Sequence, residues 1–121
     1  MGIPIAGIVF DCNDALVLAE FWAGATGYVK QSVAHNFASL SAPDQQAPSL
    51  LFIQVPEAKS VKNRVHIELR AINLEAEVEK LKRLGARELH TFEEQGTRWT
   101  VMADPEGNEF CVVHFPQTNR N

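Results

Sequence analysis

Apolar and polar residues alternate most regularly just past the middle of the chain. The segment RVHIELR, residues 64–70, alternates them without interruption. A period of two is typical of a half-buried strand with one packed and one polar face. The apolar residues of the packed face are Val65, Ile67 and Leu69. The polar residues of the opposite face are His66, Glu68 and Arg70.

A helix is predicted directly after this strand. Its apolar residues recur at helical spacing, namely Leu74, Val78, Leu81 and Leu84. Asn73 is placed to cap the N-terminus, and Gly85 is placed to end the helix. We expect the apolar stripe to pack on the apolar face of the 64–70 strand.

Three further strands are predicted near residues 87–93, 98–103 and 109–115. Gln95-Gly96 and the segment DPEG at 104–107 separate them. DPEG favours a turn because proline presets its φ angle and glycine tolerates a positive one. The predicted order in the second half of the chain is therefore βαβββ.

The first half shows the same order less clearly. Ile3–Cys12 is predicted to be a strand, and a helix is expected to begin at Asp14 and end within Gly24–Gly27. Further strand segments are expected in Tyr28–Leu40 and Ser49–Val55, with the turn SAPDQQAP between them.

The two halves align when Gly7 is placed on His66, an offset of 59 residues. The distance from the start of the first strand to the helix cap is then the same in both halves. Each helix also ends in a turn that contains glycine. The sequence therefore predicts two βαβββ modules in tandem.

Composition excludes several classes of function. A length of 121 residues fits one compact domain, and 45% hydrophobic residues allow a core. The net charge is −4 without a basic block, so neither nucleic acid nor an anionic membrane is an expected partner.

The N-terminal segment lacks the pattern of a signal peptide or membrane span. Cys12 and Cys111 form no CxxC pair, which indicates a reduced, cytoplasmic protein, although two cysteines could also form one disulfide.

Three segments carry a resemblance to a known family: FDCNDALVLAEFWAGATGY, KNRVHIELRAINLEAEVEKLKRLGA and RWTVMADPEGNEFCVV. Together they resemble the vicinal-oxygen-chelate superfamily, and within it the glyoxalase-like and bleomycin-resistance proteins. The resemblance implies an α+β fold in which two tandem βαβββ modules curl into a half-barrel sheet around a ligand. It predicts a single domain over residues 1–121, with modules at about 3–58 and 62–117, and a homodimer.

Metal-using members of that superfamily take four ligands from the two modules. Carried over by position, the first ligand falls on Gly7, which has no donor. The second falls within LLFIQVP, where Gln54 is the only plausible donor and the register stays open. The third falls on His66 and the fourth on Cys111, where the family usually has glutamate. We therefore expect no bound metal or other cofactor. The alternative is one divalent transition metal held by His66, Gln54 and Cys111.

The resemblance and strand parity together give six candidates for ligand binding: His66, Glu68, Cys111, Gln54, Glu109 and Trp99. Glu68 and Glu109 share strand parity with His66 and Cys111, so they could also serve as metal ligands. Plain structural roles stay open, since His66 could simply be a polar residue on the solvent side of a sheet and Cys111 a small buried residue.

Three functions remain open from the sequence. The expected one is a small-molecule-binding protein of the glyoxalase-like type without a complete metal site. The alternative is a metal-dependent glyoxalase-type lyase or isomerase, or a dioxygenase, acting on a small oxygenated substrate. A third possibility is a metal-free enzyme that uses His66, Glu68 or Cys111 for proton transfer.

Overall fold

A computed structural model describes residues 1–116 of the chain. The chain divides between Ser60 and Val61 into two compact units, each with the element order βαβββ. The fold is therefore α+β, with two mixed four-stranded sheets and two helices, as predicted. Residue 117, the predicted end of the second module, lies outside the described residues. None of the helices within residues 1–116 is long and apolar enough to cross a membrane.

The first module contains one helix and four strands. In chain order they are β1 (Gly7–Cys12), α1 (Ala15–Thr26), β2 (Val29–Val33), β3 (Phe37–Ser41) and β4 (Ser49–Gln54). The sheet order is β1-β4-β3-β2, in which β1 and β4 are parallel and the other pairs antiparallel. Asp14 caps α1 by accepting a hydrogen bond from Val17 N, and Gly27 ends it with a positive φ of 77°.

The second module repeats this arrangement. Its elements are β5 (Glu68–Ala71), α2 (Leu74–Leu84), β6 (Arg87–Glu94), β7 (Thr97–Ala103) and β8 (Glu109–His114). The sheet order is β5-β8-β7-β6, again with one parallel pair, β5 and β8. Asn73 caps α2, 59 residues after the Asp14 cap of α1. The offset predicted from the sequence is confirmed.

Aromatic residues form the core of the first module. Trp22 of α1 is 1% exposed and lies 5.4 Å from the ring of Phe10. Phe10 in turn stacks on Phe52 of β4 at 5.0 Å. These contacts identify the face of the first sheet that α1 covers. Because strand side chains alternate, Val9 and Leu51 belong to the opposite face.

The apolar stripe of α2 is buried at Leu74, Val78 and Leu81, whereas Leu84 is 39% exposed. The helix packs against β6, β7 and β8. The expectation that it packs on residues 65, 67 and 69 is wrong for Val65, which is 84% exposed. The strand β5, which carries Leu69, is at the edge of the sheet, next to β8. An ion pair between Arg98 of β7 and Glu75 also ties the helix to the strands beneath it.

Two predicted strands are shorter than expected. The first begins at Gly7 rather than at Ile3, which is 94% exposed. The strand predicted over residues 64–70 is restricted to Glu68–Ala71, and Val65 is 84% exposed. The regular alternation of residues 64–70 extends beyond the part that β8 pairs, so periodicity alone overestimates the strand. The segment Tyr28–Leu40 also divides, into β2 and β3.

The burial of Leu81 leads to a stability prediction. Leu81→Ala should lower the free energy of unfolding by about 2–5 kcal/mol, because it removes a buried side chain and leaves a cavity. Leu84→Ala is the matched control and should cost much less, since Leu84 is partly exposed. Denaturant unfolding measures both. A loss below about 0.5 kcal/mol for Leu81→Ala would show that this face of α2 is not packed.

Candidate functional site

Three potential donor side chains meet at the edge of the second sheet. The parallel pairing of β5 and β8 places Glu68 directly beside Cys111. His66 precedes Glu68 by two residues and lies on the same face, with its Nε2 atom 3.7 Å from Glu68 Oε2. The donor atoms of His66, Glu68 and Cys111 all lie within 4.8 Å of one another. We call these three residues the triad.

The segment that carries His66 is fixed to β8 by backbone and side-chain contacts. Cys111 N donates to Ile67 O at 2.9 Å, which extends the parallel pairing to the residue before β5. Asn63 N donates to Glu109 Oε1 at 2.9 Å, and Asn63 Nδ2 donates to Glu109 O at 3.2 Å. Glu109 therefore holds the loop before β5 in place. No local pattern in the sequence indicates this role of Asn63.

The electrostatics of the triad keep the thiol protonated. Burial raises the pKa of the Cys111 thiol, and the nearby Glu68 carboxylate raises it further, while the Lys62 ammonium lowers it. A nucleophilic cysteine needs a lowered pKa, so a metal-free thiolate mechanism has no support in this geometry. The other two side chains are accessible, with 40% of His66 and 62% of Glu68 exposed.

Trp99 lies on the same sheet face as Cys111. It is paired with Val113 of β8, and its neighbour two residues on, Val101, is paired with Cys111. The Trp99 ring stacks on Phe92 of β6 at 5.4 Å with an interplanar angle of 21°. Half-buried, it presents a flat apolar surface on the face that bears the triad.

The corresponding positions of the first module are apolar. Val9 pairs with Leu51 across β1 and β4, as Glu68 pairs with Cys111 across β5 and β8. Gly7 takes the place of His66. A Cβ atom built on Gly7 would lie 2.9 Å from Leu51 Cδ1 and 3.3 Å from Ser49 O. A larger side chain at Gly7 would therefore require the end of the Leu51 side chain to shift.

Gln54, the other first-module candidate, lies on the opposite face from Gly7. It is paired with Cys12, a buried residue of the face that α1 covers. Its Nε2 atom donates to Asn13 O at 3.0 Å. The register of β4 thus directs the amide toward the start of α1 and away from the face that carries Gly7 and Leu51.

These observations test whether the chain fits the metal that its resemblance implies. The four-ligand set does not fit, because Gly7 supplies no donor and Gln54 lies on the wrong face of its sheet. The triad offers an imidazole, a carboxylate and a thiol, which is a donor set suited to Zn²⁺. A thiolate is a poor ligand for Mn²⁺, which prefers oxygen donors. When bound, such an ion supplies a Lewis acid at the triad.

Sequence comparison identifies the family. The model of the glyoxalase-like domain family matches residues 7–113. The chain therefore belongs to the glyoxalase-like domain family, in the vicinal-oxygen-chelate superfamily. A search of curated proteins finds no significant match.

Solved structures confirm the fold at low sequence identity. A glyoxalase/bleomycin resistance protein/dioxygenase family enzyme from Burkholderia phytofirmans is similar with a TM-score of 0.74 and 14% identity, over 90% of this chain and 96% of that one. The fosfomycin resistance protein FosX from Mesorhizobium loti is similar with a TM-score of 0.75 and 14% identity, over 95% of this chain and 94% of that one. A third similar structure is a mutant FosX from Listeria monocytogenes, complexed with Mn(II) and 1S,2S-dihydroxypropylphosphonic acid. Its TM-score is 0.76 and its identity 11%, over 93% of this chain and 90% of that one.

Two variants of the charged residues near Cys111 should shift the pKa of its thiol in opposite directions. Glu68→Gln should lower the pKa of the Cys111 thiol, because it removes a carboxylate that disfavours the thiolate. Lys62→Met should raise it, because an ammonium that stabilises the thiolate is lost. The measurement is thiolate ultraviolet absorbance against pH in metal-free protein, in a Cys12→Ala background so that one thiol titrates. Shifts of the same sign in both variants would contradict this geometry.

Proposed function

We propose that this protein binds a small molecule on the face of the second module that carries the triad, without the complete metal site of its metal-using relatives. The observation that carries the proposal is the contrast between equivalent positions of the modules. The second module has His66, Glu68 and Cys111 where the first has Gly7, Val9 and Leu51. At these three positions the second module offers hydrogen-bonding side chains, and the first module offers none.

The residues of this face favour an aromatic or cationic ligand. The stacked rings of Phe92 and Trp99 offer a flat surface on which an aromatic group can stack. The exposed Glu68 carboxylate can accept hydrogen bonds from a cationic group, and the net charge of −4 adds weak attraction. Similar structures include a member of the glyoxalase/bleomycin resistance protein/dioxygenase family, so bleomycin is a reasonable first probe.

We further propose a cytoplasmic homodimer. Cys12 and Cys111 are both buried and neither forms a disulfide, as is usual for proteins of reducing compartments. The dimer rests on the fold family, whose members commonly pair.

A metal-dependent enzyme is the second candidate, because the triad brings three donor atoms together. A FosX relative is complexed with Mn(II) and a dihydroxypropylphosphonic acid. In such an enzyme, the three side chains would hold the ion, and the ion would act as a Lewis acid on a substrate oxygen. Metal content and ligand binding separate the two candidates.

The proposed function predicts a purified, tag-free protein without stoichiometric metal. His66→Asn should weaken binding of a probe while changing the free energy of unfolding by no more than about 0.5 kcal/mol, because the side chain is exposed. Elemental analysis and thermal unfolding measure these quantities. Near-stoichiometric Zn, Ni, Mn or Fe that is lost in His66→Asn would contradict the metal-free proposal and favour the enzyme.

Trp99 provides a direct readout of binding. Titration of metal-free protein with metal-free bleomycin should quench tryptophan fluorescence, because the ligand would stack on the half-buried Trp99. Trp99→Phe should abolish the quenching, whereas Trp22 is buried and should not respond. Fosfomycin serves as the comparison probe for an anionic ligand. Binding of fosfomycin but not bleomycin would contradict the preference for an aromatic or cationic ligand.

A further inference from the structure

We propose that the triad is an exchangeable binding site for Zn²⁺, built entirely from the second module. The inference goes beyond the proposed function, which requires no metal. It also differs from a four-ligand site that spans both modules, since Glu68 replaces the donors that Gly7 and Gln54 do not provide. Its basis is the position of three chemically suitable donors within 4.8 Å of one another.

The distances are close to those of a coordinated ion. Zn²⁺ binds nitrogen and oxygen at about 2.0–2.2 Å and sulfur at about 2.3 Å, so tetrahedral ligands lie roughly 3.3–3.8 Å apart. His66 Nε2 and Glu68 Oε2 are already 3.7 Å apart. Cys111 is fixed by β8, whereas His66 and Glu68 are exposed and can rotate about their side-chain torsions. The triad can therefore close around an ion without movement of the backbone.

The chemistry of the triad selects the ion. A thiolate and a carboxylate balance the charge of a divalent cation, and the imidazole completes three protein ligands. Three ligands leave a fourth position for water, as in catalytic zinc sites. Binding requires Cys111 to release its thiol proton to solvent. Zn²⁺ and Co²⁺ accept thiolate readily, whereas Mn²⁺ binds weakly to such a set.

Accessibility makes the site exchangeable. Two of its three ligands, His66 and Glu68, are exposed. We therefore expect the ion to bind from solution and to be removed by chelators. This expectation is compatible with a purified protein that carries little metal.

Addition of Co²⁺ to metal-free, tag-free protein tests the site. One equivalent of Co²⁺ should produce a near-ultraviolet charge-transfer band, which requires a thiolate ligand, and Zn²⁺ should displace it. Cys111→Ser should abolish the band. Cys12→Ala is the matched control and should retain it, because Cys12 belongs to the first module. Absence of the band in the wild-type protein would overturn the proposal.

Glu68→Gln gives a second test that does not depend on a buried residue. Because loss of even an outer-shell partner weakens metal affinity by about 10- to 100-fold, loss of Glu68 should raise the Zn²⁺ Kd at least about tenfold. Competition with a chromogenic chelator measures the Kd. Glu94→Gln, which changes an exposed carboxylate at the end of β6, should leave it unchanged. Equal Kd values for Glu68→Gln and the wild-type protein would overturn the assignment.

Different results would contradict the proposed small-molecule function and the proposed Zn²⁺ site. Stoichiometric metal in the protein as purified would contradict the metal-free function and leave the triad as a metal site. Failure of Co²⁺ and Zn²⁺ to bind would remove the metal site and leave small-molecule binding by the same face intact.

Discussion

The parallel pairing of β5 with β8 is the interaction on which the candidate site depends. It joins residues 43 positions apart and places Glu68 beside Cys111. The pairing requires the crossover through α2, β6 and β7, because parallel strands cannot be joined by a tight turn. The bonds between Asn63 and Glu109 extend this order to the loop that leads to His66. The geometry of the triad is thus a consequence of the strand topology.

The two modules show how one backbone arrangement can carry different chemistry. Their strand orders and helix caps correspond, yet the positions that carry the triad in the second module are Gly7, Val9 and Leu51 in the first. At Gly7, Leu51 occupies the space that a larger side chain would need. Membership of the glyoxalase-like family therefore defines the fold, while the side chains of each module determine what it can bind.

Much of the fold could be predicted because local signals were strong. The caps Asp14 and Asn73 and the stripe of α2 locate both helices, and strand parity places Glu68 and Cys111 on one type of face. The register of β4 could not be predicted, because its run of apolar residues conceals which face is buried, so the direction of Gln54 was open. Which strands α2 covers depends on sheet order, a long-range property without a local signal. The same holds for the contact between Asn63 and Glu109.

The central claim about the triad is that His66, Glu68 and Cys111 together bind Zn²⁺. A crystal soaked in Zn²⁺, with diffraction recorded at the zinc absorption edge, tests this claim directly. The account predicts one anomalous peak at bonding distance from His66 Nε2, a Glu68 carboxylate oxygen and Cys111 Sγ. A peak coordinated by Gln54, or the absence of any peak at the triad, would contradict it.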